Sequence, residues 1–182
     1  MTARLARIGV ALLLATGSAR AADTHHQPYA GEARRAIKAL SAEEIEGLLA
    51  GAGLGYANAA ELNGWPGPLH ALDLDAALRL TPVQIAALQA VRAEILAAAR
   101  PLGAALVDAE RRLEAIFADG APSPAAVAAA SAAAAEVEGR LRAVHLTAHI
   151  ATRRILTPHQ RMLYAEARGY APAAPQGHHH HR

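Results

Sequence analysis

The sequence predicts an all-α fold built on one long antiparallel helical hairpin with short helices flanking it. Three observations carry this. No segment alternates as a strand would. Two apolar stripes of heptad spacing lie on either side of a turn near Gly120 to Ser123. A phrase, Leu-Thr-Pro-x-Gln, occurs twice, at Leu80-Thr81-Pro82-Val83-Gln84 and at Leu156-Thr157-Pro158-His159-Gln160. Each copy reads as a helix start: Thr as N-cap, Pro at the first helical position, and Gln at the third, where its side chain can return to the Thr amide.

The elements follow in order. Residues 1–21 read as a secretory signal peptide: Arg4 and Arg7 are basic, Ile8 to Ala15 are apolar, and Ala19-Arg20-Ala21 is a small-x-small cleavage site. Residues 22–68 form an N-terminal segment. Within it, 22–29 are polar, and 30–50 should hold one or two short helices, with Ser41 to Glu44 as a capping box. Residues 51–68 are dense in Gly and Pro and should be a structured loop, which Trp65 pins onto the helices.

Residues 69–170 form the hairpin domain. After a short helix over 69–78, the first long helix should run from Thr81 to about Asp119, roughly 57 Å at 1.5 Å per residue. Leu80 can staple onto Ile85, whereas the second copy offers only Arg161 at that place. Pro101 should kink or interrupt the helix near Arg100, bending it into one arm of a shallow cradle. Its seam is Ile85, Leu88, Ile95, Ala99, Leu102, Leu106, Ala109, Leu113 and Ile116, with Arg92 the polar member. The second long helix, capped by Ser123, has a seam rich in alanine: Val127, Ala130, Ala134, Val137, Leu141, Val144, Ala148, Ala151 and Ile155. Alanine buries little area per residue, and Leu146 and Ile150 face elsewhere, so a homodimer is expected to complete the cradle. A final helix should span 158–168. Residues 171–182, ending His178 to Arg182, should be disordered.

The doubled phrase resembles the LTxxQ motif of the Spy/CpxP family of periplasmic proteins. That family includes ATP-independent stress chaperones and a heavy-metal sensor and resistance branch. The resemblance covers roughly 69–170. It implies a small, all-helical, non-enzymatic periplasmic protein, usually dimeric. The motif residues are Leu80, Thr81, Pro82 and Gln84, with Leu156, Thr157, Pro158 and Gln160.

Composition narrows the function. The signal segment holds three arginines and no acids, which leaves 15 Lys+Arg against 16 Asp+Glu in the rest. No nucleic-acid partner is indicated by that balance. The absence of cysteine excludes disulfides, thiolate metal sites and cysteine catalysis. No apolar run beyond the signal is long enough for a transmembrane segment. Beyond residue 21 the serines are Ser41, Ser123 and Ser131, two of them caps, and no glycine-rich phosphate loop follows a strand. An enzyme is not expected.

His145 and His149 are the sharpest candidates for chemistry. At i, i+4 on a helix their imidazoles lie on one side, one turn apart, which suits two ligands of a Zn, Ni, Co or Cu ion. His-x-x-x-His also resembles the metal-binding pattern of the heavy-metal branch. The competing reading is a solvated stripe of Arg142, His145, His149 and Arg153, whose arginines would repel a cation. A third ligand is needed. His70 is best placed, because an antiparallel hairpin sets the start of its first helix beside the end of its second. Asp73 or Glu94 could complete the set, although Glu94 points outward by its heptad position. His159 should be exposed. The tail histidines could bind metal by number or belong to a purification tag, and four followed by Arg argues for a natural end. His25 would form a free-amine copper or nickel site only if cleavage fell after Ala22.

Two functions follow. The first is an ATP-independent periplasmic chaperone or stress modulator, acting on unfolded periplasmic proteins or on a membrane signalling protein and needing no cofactor. The alternative is a periplasmic heavy-metal sensor or metal-binding resistance protein. Only 3% of residues are aromatic, which argues against a strongly adhesive surface but not against weak client binding.

Overall fold

The computed structural model describes residues 29 and 31–170. The expected signal peptide, His25, His26 and the tail 171–182 lie outside the described residues. Among the described residues there are seven helices and no strand. They are α1 (Ala42–Ala50), α2 (Asn58–Glu61), α3 (Pro68–Asp73), α4 (Asp75–Leu78), α5 (Pro82–Ala118), α6 (Pro124–Ile155) and α7 (Pro158–Ala167). None is long and apolar enough to cross a membrane.

The fold is all-α, and α5 with α6 forms the long antiparallel hairpin. Its ends are set by local chemistry. Ser41, Thr81 and Thr157 each close a complete capping box, with Glu44, Gln84 and Gln160 as reciprocal partners. Ser123 caps α6 through the amide of Ala126. Gly120 takes φ 77° in the turn, a left-handed conformation that costs a residue without a Cβ little.

The two seams meet as their spacing predicts. Ala99, Leu106 and Ala109 of α5 are buried with Ala134 and Leu141 of α6, and Ile37 and Leu48 close this core from the N-terminal side. Helix α1 crosses α5 at Gly103, where a Cβ would lie 2.0 Å from the Leu48 carbonyl oxygen. Only glycine permits that approach. A second core sits at the open end of the hairpin, around Ala71, Leu78, Leu88, Leu156 and Tyr164.

Two local expectations need correction. Pro101 does not interrupt the helix: α5 runs through it for 37 residues. The missing amide forfeits one hydrogen bond. Tertiary contacts clamp the helix on both sides of it, through buried Ala99 and Gly103 and through the Arg100 side chain, which donates to the Ala50 carbonyl at 3.3 Å. Residues 31–38 form turns and bends, so α1 is the one helix described over 30–50, within the one or two expected there. The helix expected over 69–78 is two short helices, α3 and α4, broken where Leu74 leaves helical dihedrals (φ −102°, ψ 20°).

The two motif glutamines meet. Gln84 Nε2 donates to Gln160 Oε1 at 2.8 Å, and Gln160 Nε2 donates to Gln84 Oε1 at 3.0 Å. Each oxygen also accepts from its own cap, the Thr81 and Thr157 amides. The second proton of each amide goes to the chain end opposite it: Gln84 to the Ile155 carbonyl, Gln160 to that of Leu78. Both donors and both lone pairs of each side chain are therefore used. Arg161, which cannot staple, instead donates to the Arg153 and Leu156 carbonyls at the end of α6.

Gln160→Glu tests this clasp. The substitution keeps the shape and removes both donors, setting oxygen against oxygen at Gln84 and Leu78. A loss of about 2–4 kcal/mol is expected from the buried groups left unpaired, measured as a lower urea midpoint.

Candidate functional site

Residues 51–68 lie over the last third of α6 and turn its polar face into a pocket. Trp65 anchors this cover. The Arg153 guanidinium sits 4.5 Å from its ring centre, and Arg153 Nη1 donates to the Gly64 carbonyl at 2.7 Å. His149 Nδ1 lies 2.7 Å from the Trp65 carbonyl. A carbonyl only accepts, so Nδ1 carries a proton and Nε2 is the nitrogen left for a metal. The backbone at Gly67 passes so close that a Cβ there would lie 3.0 Å from His149 Cε1.

The pocket has a volume of about 570 Å³, and its lining includes Glu61, His70, His145, His149, Arg92 and Arg168. His145 and His149 are buried, at 7% and 8% exposure, so they are not a solvated stripe. Arg142 and Arg153 stay outside, over Tyr56 and Trp65. The His145 ring stacks on Tyr56 with 6.1 Å between centres, and its Nε2 is buried without a hydrogen-bond partner. Burial, and secondly the charge of His149, hold its pKa below the ordinary imidazole value.

Glu61 is the hub. This carboxylate, 7% exposed, closes α2. The Tyr164 hydroxyl donates to its Oε1 at 2.5 Å, while Arg168 Nε and His70 Nδ1 stand 3.4 and 3.5 Å from that oxygen. Its Oε2 has no hydrogen-bond partner and lies 3.6 Å from His149 Nδ1. Tyr164 also accepts from the Gly67 amide, and burial together with the bond to Glu61 pushes its phenol well above the usual range.

The structure thus brings His70, His145 and His149 to one pocket. Asp73 and Glu94 do not line it. Asp73 is exposed at the end of α3, and Glu94 lines a groove on another face of the hairpin. His159 is exposed at the start of α7. The sequence reading missed Glu61, Tyr164 and Arg168. Tyr164 and Arg168 at i, i+4 on the last helix were a readable signal; Glu61, alone in a loop-rich stretch, offered none.

The donor types suit a borderline divalent cation: three imidazoles, one carboxylate, and orphaned atoms on Glu61 and His145. Their arrangement is incomplete, because among the described residues no three His, Asp or Glu side chains stand as a coordinating group. A family model described as heavy-metal resistance matches residues 47–162. No curated protein and no solved structure matches the chain.

The His145 environment has a pH consequence. Its folded pKa lies below the unfolded value, so below about pH 6.5 the unfolded chain binds a proton that the folded chain resists. This contribution is fully present above that pH and is lost as pH falls. Urea midpoints should drop from pH 7.5 to pH 5.5, and the drop should be smaller in His145→Gln.

Proposed function

The chain belongs to the heavy-metal resistance family, which is Spy/CpxP-like and helical, and from that premise we propose that it is a periplasmic, non-enzymatic metal-handling protein. Its pocket beneath residues 51–68 takes a Zn, Ni, Co or Cu ion as sensed cargo. The observation that carries this reading is the convergence of His70, His145, His149 and the buried carboxylate of Glu61 on one pocket. Glu61 is shared between His70 and His149 on one side and the α7 residues Tyr164 and Arg168 on the other. A cation competing for that carboxylate loosens α7, the helix whose Gln160 closes the open end of the hairpin. Occupancy would reach a membrane signalling partner through that end.

Trp65 reports on this pocket because its carbonyl is held by His149. Adding Zn, Ni, Co or Cu to the full chain should change Trp65 emission saturably. The His145→Ala, His149→Ala double variant should bind at least tenfold more weakly, using the smaller effect of losing an outer-shell partner as a floor. Affinity should also weaken as pH falls below about 6.5, because protons compete for imidazole. Unchanged affinity in the double variant would defeat the pocket reading.

A second reading, an ATP-independent chaperone or stress modulator acting as a homodimer, is favoured by a separate feature. An open groove of about 900 Å³ runs between α5 and α6, lined by apolar residues such as Val91, Ile95, Leu102 and Val144. Such a surface suits weak, transient contact with unfolded segments. Suppression of aggregation of an unfolding client at near-stoichiometric ratio is the expected result, and none over a wide range of ratios would count against it.

A further inference from the structure

The charge of the pocket beneath residues 51–68 opposes a bare cation. Of the acidic and basic side chains that line it, Glu61 is the one carboxylate, while Arg92 and Arg168 are two guanidiniums. An ordinary imidazole is neutral at about pH 7.5, so the wall carries a formal excess of one positive charge. Arg168 Nε stands 3.4 Å from Glu61 Oε1, beside the carboxylate that a cation would seek. Arg92, the polar member of the α5 seam, is exposed and reaches the same pocket from α5. Part-buried charges are screened less than charges in open water, so a bare divalent ion adds to an unfavourable excess.

Size and donor number point the same way. A water takes about 30 Å³, so an ion with six waters fills roughly 200 Å³. The pocket has about 570 Å³, within the range of about 300–1,000 Å³ of sites for small organic molecules. Among the described residues no three His, Asp or Glu side chains stand as a coordinating group. His145 Nε2 and Glu61 Oε2 are buried without hydrogen-bond partners, but two such atoms leave an ion short of a full shell.

One class of ligand satisfies all three conditions. A small polycarboxylate that chelates the ion supplies the missing oxygens, fills the space and turns the cation into a neutral or anionic complex. A guanidinium is matched to such a ligand, because its planar fork of donors fits the two oxygens of a carboxylate. Arg168 has donors to give: Nη2 goes to the Tyr170 hydroxyl at 3.0 Å, and Nε is buried with no hydrogen-bond partner.

We propose that the cargo of this pocket is a chelate, a Zn, Ni, Co or Cu ion bound to a small polycarboxylate, with imidazole of His145 and His149 on the metal and Arg92 and Arg168 on the carboxylate. This rests on the metal-handling reading of the pocket and specifies the form in which the ion is held.

The experiment is equilibrium dialysis of radiolabelled citrate and, separately, malate against the full chain, with and without Ni, beside Trp65 emission. The expected result is retention of about one carboxylate ligand per chain that requires Ni and is lost in the His145→Ala, His149→Ala double variant. Arg92→Gln, at an exposed position, should weaken retention of the Ni complex about fivefold, the scale of one exposed charge pair. It should not weaken binding of Ni added alone. A bare-ion cargo gives the opposite pattern: citrate strips Ni from the chain, and Arg92→Gln strengthens Ni binding by removing a positive charge. If neither carboxylate is retained while Ni alone changes Trp65 emission saturably, the proposal is wrong and the pocket reading stands. Retention without metal, retention in the double-histidine variant, or retention unchanged by Arg92→Gln would also overturn it. No retention together with an emission unaffected by Ni in either form would sink the proposal and the pocket reading together.

Discussion

The exchange of hydrogen bonds between Gln84 and Gln160 joins four helix ends: the last residues of α4 and α6, and the first turns of α5 and α7. A primary amide is the group for this task, because it offers two donors and two lone pairs in one plane. A carboxylate would lack the donors and an apolar side chain would leave two carbonyls unpaired. Gln160 is buried, so such a carbonyl could not turn to water instead. The doubled motif is therefore two half-clasps. One copy alone is an ordinary helix start. The pair fixes where α7 lies, and α7 carries Tyr164 and Arg168 to Glu61.

Glu61 is the second constraint. A buried carboxylate is costly unless its oxygens are matched. One oxygen is matched, by the Tyr164 hydroxyl, while the other is left without a hydrogen bond beside His149. A hydrophobic residue at this position would relieve that cost and leave Tyr164 without its acceptor. The incomplete satisfaction leaves one carboxylate oxygen unpaired beside His149, in a pocket that His70 and His145 also line, and this is the physical basis of the proposed site.

The hairpin's two faces have different fates. On one, the Gly/Pro segment covers α6 and buries His145 and His149, with Arg153 and Trp65 stacked outside as a fastener. On another, small residues such as Ala98, Ala143 and Ala151 leave an open groove. Alanine in a seam lets helices approach closely but fills little volume, so a groove remains where none of the described segments covers it.

The sequence by itself determined the helix ends, the turn at Gly120 and the two seams. Those features rest on interactions within a few residues of one another, such as Thr81 with Gln84 or Ser123 with Ala126. It also marked His70, His145 and His149, because helical spacing and hairpin register place them near one end. Tertiary structure alone decided that α5 passes unbroken through Pro101, since the clamping residue Arg100 finds its acceptor 50 positions away. It alone decided that the histidines are buried rather than solvated, because the cover comes from residues 51–68. The partnership of Glu61 with Tyr164 spans 103 positions and that of the two glutamines 76. No local pattern encodes such distances. They exist only once the cores have set the helices against one another.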